Sequence, residues 1–187
     1  MKTMIPNSLD ILESYIKGKD EDQYEILETI YTDDAQLAFE ITSNDISFPE
    51  NITGNKEIAR VLSKDFNKKY SSVKTYCLSK PKTDRLQICH QKWLVVMRDI
   101  SNESNDNLTR VGCGYYDWNL THIEGHLKIQ KHKIYIHAML QLQDEHAQEL
   151  HRIQSVLIYP WADKESVISV LNTNSSYSDI VNFLADK

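Results

Sequence analysis

Long apolar runs are the first thing missing from this chain of 187 residues. No segment approaches the roughly 20 apolar residues needed to cross a bilayer, and Met1-Lys2-Thr3-Met4-Ile5-Pro6-Asn7-Ser8 has no apolar core of the secretory-leader kind. The expectation is a cytoplasmic protein with no membrane partner. Positive charge is also in deficit, with 21 Lys and Arg against 27 Asp and Glu for a formal net charge of −6. Without a basic footprint, Lys64, Lys68 and Lys69, or Lys128, Lys131 and Lys133, read as solvated faces, and nucleic acid is not an expected partner.

Cysteine is scarce and odd in number. Cys77, Cys89 and Cys113 fall in expected strands, which favours buried reduced thiols over a disulfide framework or a zinc site. Asn119-Leu120-Thr121 is a glycosylation sequon placed at a strand end, an awkward position for a glycan, so it too favours a reducing interior. His122 with His126, and His146 with His151, lack the cysteine or carboxylate context of a zinc site. There is no glycine-rich phosphate loop and no nucleophile elbow. No metal or cofactor is therefore expected.

What the chain does have, 41% hydrophobic and 26% charged residues, suits one globular domain with a small extension. Helical periodicity comes first. Leu9, Leu12, Tyr15 and Ile16 form one stripe behind Asn7 and Ser8, and that helix ends near Gly18. Tyr24, Leu27 and Tyr31 line a second helix, capped by Asp20 or Asp22 and stopping at Thr32-Asp33-Asp34, where both aspartates read as turn residues. An extended segment, Ala35 to Glu40, follows. Thr53-Gly54 opens a third helix carrying Ile58, Val61, Leu62 and Phe66 on one face. Val73 to Ser79, Leu86 to Ile100, Leu108 to Thr121 and the segment closing at Leu142 then read as an antiparallel meander, with Ser101 to Asn107 as a loop. Gly112 and Gly114 suit a bent or bulged sheet.

The fold class that follows is α+β, with three N-terminal helices packed on a strongly curved, mostly antiparallel sheet. Residues 1–142 form this domain and residues 143–187 a C-terminal helical extension packed on it. In the extension, 143–152 is helix-compatible, two short helices follow Asp163 and Ser176, and Ser176-Tyr177-Ser178-Asp179 has a capping-box spacing. The apolar set Trp161, Val167, Val170, Leu171, Ile180, Phe183 and Leu184 needs cover, as a lid, a dimer arm or padding.

The run from Asp20 to Ala35, DEDQYEILETIYTDDA, resembles the opening of SnoaL-like proteins in the nuclear transport factor 2 superfamily. Gly54-Asn55-Lys56-Glu57-Ile58 is similar to that family's turn into its third helix. Glu124-Gly125-His126-Leu127-Lys128-Ile129 is similar to its final hairpin, where Trp more often stands at Leu127. The likeness covers about Leu9 to Leu142. It implies a cone-shaped barrel with a pocket between sheet and helices, commonly a homodimer through the sheet. The meander and tail also resemble the small subunit of aromatic-ring dioxygenases, which supports oligomers and holds no redox centre.

The resemblance also makes a test possible. Steroid-isomerase members place a general base where this chain has Phe39, or Ala38 if the alignment slips by one, and neither can move a proton. Candidates for acid–base work are then polar residues within apolar strands. His90 alternates with Ile88 and Leu94, Asp117 with Val111, Cys113 and Tyr115, and His137 with Tyr135 and Met139. Each faces either the pocket or an interface. Tyr15, Tyr24, Tyr31, Trp93 and Trp118 are candidate ligand contacts or plain core.

Three readings stay open: a metal-independent dehydratase, isomerase or cyclase; a protein that binds a small, largely apolar ligand without turnover; and an oligomer-forming accessory subunit.

Overall fold

The computed structural model describes residues 6–101 and 108–186. The expected loop at 102–107 and the reading of Met1 to Ile5 fall outside the described residues. Helix α1, Ser8–Asp20, starts on a reciprocal cap in which the Asp10 N–H donates to Asn7 Oδ1 at 3.1 Å and the Asn7 N–H to Asp10 Oδ2 at 2.9 Å. Its buried stripe is Ile11, Leu12, Tyr15 and Ile16.

Helix α2, Tyr24–Ile30, ends one residue before strand β1, Tyr31–Ile41. Asp33 and Asp34 are therefore strand residues rather than turn residues, exposed where the register of β1 shifts between Tyr31 and Gln36. Asp20 does not cap α2 either; it is the buried last residue of α1, and no side chain caps α2.

After the short strand β2, Asn51–Thr53, Gly54 turns the chain at φ +92°, a backbone region that a side chain would strain. Helix α3, Asn55–Ala59, begins there and continues as π-helical turns through Asp65. Ile58, Val61, Leu62 and Phe66 are buried along it, as their spacing predicts.

Strands β3 (Tyr70–Leu78), β4 (Gln87–Asp99), β5 (Leu108–Ile123) and β6 (His126–Gln143) form the antiparallel meander. The tail contributes α4 (Gln148–Val156), β7 (Trp161–Ala162), α5 (Lys164–Leu171) and α6 (Ser178–Ala185). Asp163 caps α5 through the Ser166 N–H at 2.9 Å. The expected capping box at Ser176 to Asp179 does not form: Tyr177 is the N-cap of α6 and makes no capping bond to it, its hydroxyl donating to Glu149 instead, and Asn174 caps the preceding turn.

Among the described residues the sheet has seven strands in the order β2-β1-β6-β5-β4-β3-β7, with β1 parallel to β6 and β7 parallel to β3. The meander reading missed both of those parallel pairings and the two shortest strands. Bulges bend β4 between Ile88 and Gln91 and the β5–β6 ladder at Cys113 and Gly114. A Cβ on Gly114 would collide with the Tyr135 carbonyl oxygen and lie 2.6 Å from the Trp93 ring, so only glycine lets the strands approach at this bend.

Both faces of the sheet are covered. On the concave side α1 to α3 bring Tyr15, Ile16, Leu27, Ile58 and Leu62 onto Trp93, Trp118, Ile134 and Ile136. On the convex side α4 to α6 bring Leu150, Ile153, Val167, Leu171, Ile180 and Leu184 onto Tyr76, Leu94, Val96, Val111 and Cys113. Burial on two faces explains why Trp93 to Met97 reads as an unbroken apolar run. No helix among the described residues is long and apolar enough to cross a membrane.

Candidate ligand cavity inside the cone

Between the helices and the concave face lies a cavity of about 40 Å³. Its walls are mainly Phe39, Phe48, Phe66, Met97, Met139, Ile134 and Ile136, with Tyr15, Lys19, Thr75, Trp93 and Tyr116 as the polar side chains. Strand alternation selects this set. Trp93, Val95 and Met97 share one face of β4, while Leu94 and Val96 go to the convex core.

Lys19 ends α1 with its Nζ 2.5 Å from Asp20 Oδ1, 2.9 Å from Thr75 Oγ1 and 4.9 Å above the Phe66 ring. Asp20 is already committed. It also accepts from the Thr75 N–H at 2.6 Å, the Thr75 hydroxyl at 2.9 Å and the Tyr159 hydroxyl at 3.1 Å. A buried ion pair survives only when its remaining lone pairs are met in this way.

The aromatic groups deeper in the cone are less satisfied. Among the described residues, Tyr15 Oη, Trp93 Nε1, Trp118 Nε1, Gln91 Nε2 and His132 Nε2 are buried without a hydrogen-bond partner. Native interiors leave few such groups, and each calls for an explanation such as a water or a ligand. The Tyr15 hydroxyl approaches that of Tyr116 closely enough to perturb it but not in hydrogen-bond geometry. Burial pushes both phenols well above their ordinary value, so both stay protonated.

His132 on β6 is the residue that sequence reasoning missed. Its Nδ1 lies 2.7 Å from the Tyr31 hydroxyl, and its ring stacks on Trp118 at 3.8 Å between centroids. Burial holds it well below the usual histidine range, so it is neutral. The signal was available: His132 alternates with the inward Ile134 and Ile136, but it stands between Lys131 and Lys133, which mark a solvated face.

The expected trio lies elsewhere. His90 is exposed at φ +53°, pushed out by the bulge that reverses the alternation of β4 between Ile88 and Gln91. Its backbone N–H donates to Asp117 Oδ1 at 2.7 Å, and Asp117 lines an open groove of about 450 Å³ in which Asn119, Lys131 and Lys133 stand beside Leu37, Ala38, Ile52 and His132. His137 is the extra residue of the β6 bulge opposite Cys113 and Gly114. Its ring stacks on Phe183 of α6 at 4.4 Å, and its Nε2 is 3.2 Å from Asp179. All three stand on the convex side, across the sheet from the tyrosines, so the shared pocket expected for them does not form.

Tyr15, Tyr31, Trp93 and Trp118 are all in the concave core, with Tyr15 and Trp93 on the cavity wall. Tyr24 is half-buried at the rim under the Lys64 ammonium, 4.3 Å from its ring. Cys77 and Cys113 are buried free thiols raised by burial, whereas Cys89 is exposed beside the β4 bulge, contrary to its expected burial. Among the described residues no group of three or more His, Cys, Asp or Glu is placed to hold a metal ion.

No protein-family model matches the chain, and no curated protein sequence does. Solved structures do. A hexachlorocyclohexane dehydrochlorinase, LinA type 2, superposes with a TM-score of 0.54 at 16% identity, over 71% of this chain and 84% of that one. A nuclear transport factor 2-like superfamily protein from Salmonella enterica gives 0.54 at 11% identity, over 70% and 88%. A Novosphingobium aromaticivorans protein assigned as a scytalone dehydratase gives 0.50 at 10% identity, over 70% and 81%. At these identities the likeness speaks to architecture, and the architecture is the α+β cone of the nuclear transport factor 2-like fold.

Proposed function

We propose that the protein binds a small, largely apolar molecule in the cone, with the ligand's polar atom turned toward Lys19, Tyr15 and Trp93. One observation carries this reading: buried donors without partners stand on the wall of a cavity otherwise made of Phe, Met and Ile side chains. The described lining residues include no histidine and no carboxylate, and Asp20 behind them is fully bonded. The cavity is thus built to hold an acceptor rather than to remove a proton.

Thermal denaturation with small apolar compounds such as indole tests the reading. Binding raises the melting temperature in a saturable way, and Met97→Trp, which fills the cavity, abolishes the rise. If no compound of this class shifts the wild-type chain, the reading is wrong.

Cofactor-independent elimination or isomerisation is the second reading. The dehydrochlorinase and the assigned dehydratase share this fold, and His132 is neutral with Nε2 unpartnered, so in the tautomer whose Nδ1–H donates to the Tyr31 oxygen that Nε2 can accept a proton. Tyr15 packs edge-on against that ring at 4.8 Å on the cavity side, and His132 also borders the open groove of about 450 Å³ beside Leu37 and Ile52. Turnover lost in His132→Gln but kept in His137→Gln would support this reading; turnover kept in both would remove it.

The expected homodimer has less sheet to use, because α4 to α6 already cover the β3–β5 part of the convex face.

A further inference from the structure

The cavity is too small for the ligand class proposed for it, and the shortfall has the shape of one aromatic ring. About 40 Å³ admits water, whereas a benzene-sized guest needs about 150 Å³. Phe48 occupies the difference. It belongs to the connection 42–50, which has no regular secondary structure, and it is partly exposed while lining the cavity, so it stands between the interior and solvent. Its ring lies parallel to Phe39, 4.4 Å between centroids and 2° between planes, and within 20° of parallel to Phe66 at 6.4 Å. Offset stacking at such distances is the geometry that flat π-systems adopt with one another.

The segment is tethered at few points near that ring. The Arg110 Nη1 donates to the Asp45 carbonyl at 2.5 Å while its Nε donates to the buried Asp99 carboxylate at 2.6 Å, and the Phe39 N–H donates to the Glu50 carbonyl at 2.8 Å. Phe48 can leave the slot without either of these bonds breaking, since both engage backbone atoms of other residues.

The chemistry at the inner end of the slot specifies the guest further. Lys19 sits over the same Phe66 ring, and its ammonium has three N–H groups of which Asp20 and Thr75 take two. Tyr15 and Trp93 add donors without partners. The site therefore has donors to spare, and two of them, the third Lys19 N–H and the Trp93 indole N–H, belong to groups that cannot accept. It does not lack negative charge, because Asp20 already balances Lys19, and adding an anion to a neutral buried pair costs desolvation without a free counter-ion.

Resting on the cavity reading above, we infer that Phe48 is a built-in stand-in for the ligand, and that the ligand is a flat, neutral aromatic carrying a carbonyl oxygen. It displaces Phe48 from between Phe39 and Phe66 and gives its oxygen to Lys19, Tyr15 or Trp93.

Titration calorimetry on the whole chain and on Phe48→Ala, with four probes of similar size, tests this. Acetophenone has ring and carbonyl, ethylbenzene lacks the carbonyl, cyclohexyl methyl ketone lacks the flat ring, and benzoate adds charge. Phe48→Ala is expected to bind acetophenone about tenfold tighter than the parent chain does, and about tenfold tighter than it binds each of the other three probes. The Trp93 indole N–H resonance should move with acetophenone and stay still with ethylbenzene. Equal binding of all four probes would leave the cavity reading standing and sink the carbonyl aromatic. Equal acetophenone affinity in parent and Phe48→Ala would make Phe48 an ordinary wall residue. Binding of no probe by either protein would overturn the cavity reading itself. Should Phe48→Ala not fold, Phe48→Leu, which keeps apolar cover and loses the ring, takes its place with the same expected order.

Discussion

His132 enters the fold as an uncharged ring, stacked on Trp118 and bonded to the Tyr31 hydroxyl, and burial holds its pKa well below the ordinary value. In the unfolded chain a histidine takes up a proton near pH 6.5. Between that pH and the lower folded value, the unfolded state binds more protons than the native state, so stability rises with pH and is lost on acidification. We expect the unfolding free energy from urea titrations to fall as pH drops from 7.5 to 5.5, and His132→Phe, which keeps the stack, to flatten that slope. A slope unchanged in His132→Phe would assign the acid sensitivity to other groups. The neighbouring Tyr31 hydroxyl loses its partner in this variant, so the variant's overall stability at pH 7.5 is expected to drop by about 1–3 kcal/mol.

At the scale of one element, α4 depends on a carboxylate that lies outside it. Asp144 accepts the Glu149 and Leu150 N–H groups, both at 3.2 Å, and the Thr109 hydroxyl at 2.8 Å, thereby tying the start of α4 to β5. Burial raises its pKa, but the bonds from Thr109 and from the helix backbone outweigh burial, and the net direction is downward. A folded pKa below the unfolded value of about 3.9 means that this stabilisation is present above pH 3.9 and disappears as pH falls through the folded value. Asp144→Ala should cost about 1–2 kcal/mol at pH 7, measured by urea unfolding, and the difference from wild type should vanish in acid. A cost that persists at pH 2 would mean that the side chain acts by packing and not by its charge.

For the molecule as a whole, the tail decides what the convex face can do. Leu94, Val96, Val111 and Cys113 point away from the cone and would be exposed without Leu150, Ile153, Val167, Leu171, Ile180 and Leu184 above them. Burying each large aliphatic side chain contributes about 1.5–3 kcal/mol, so the tail is integral to the stability of the sheet it covers. Light scattering at micromolar concentration should find single copies of the full chain. A variant ending at Gln143 should self-associate or precipitate, because its uncovered sheet face is an apolar patch of the kind that drives association. A stable dimer of the full chain would show that the polar part of the convex face around Asp117, Lys131 and Lys133 is itself adhesive.

Periodicity alone carried the α+β class, the three N-terminal helices and the long meander, because the 3.6-residue and 2-residue repeats of buried side chains are written directly in the order of residues such as Ile58, Val61, Leu62 and Phe66 or Trp93, Val95 and Met97. The cone itself came from the family resemblance, and of the five aromatic candidates offered for its interior as ligand contacts or plain core, Tyr15, Tyr31, Trp93 and Trp118 are buried on the concave side while Tyr24 stands at the rim. Periodicity could not say which face His90 and His137 take, since one bulge at Ile88–Gln91 and another at Cys113–Gly114 reverse the alternation, and a bulge is chosen by how strands must bend around a core. Nor could it show β1 running parallel to β6, because that pairing joins residues about a hundred positions apart. Asp20 joining Lys19, Thr75 and Tyr159, His132 meeting Tyr31, and Phe48 lying on Phe39 were decided by tertiary structure for the same reason: each is a contact between elements whose distance in space has no trace in their distance along the chain.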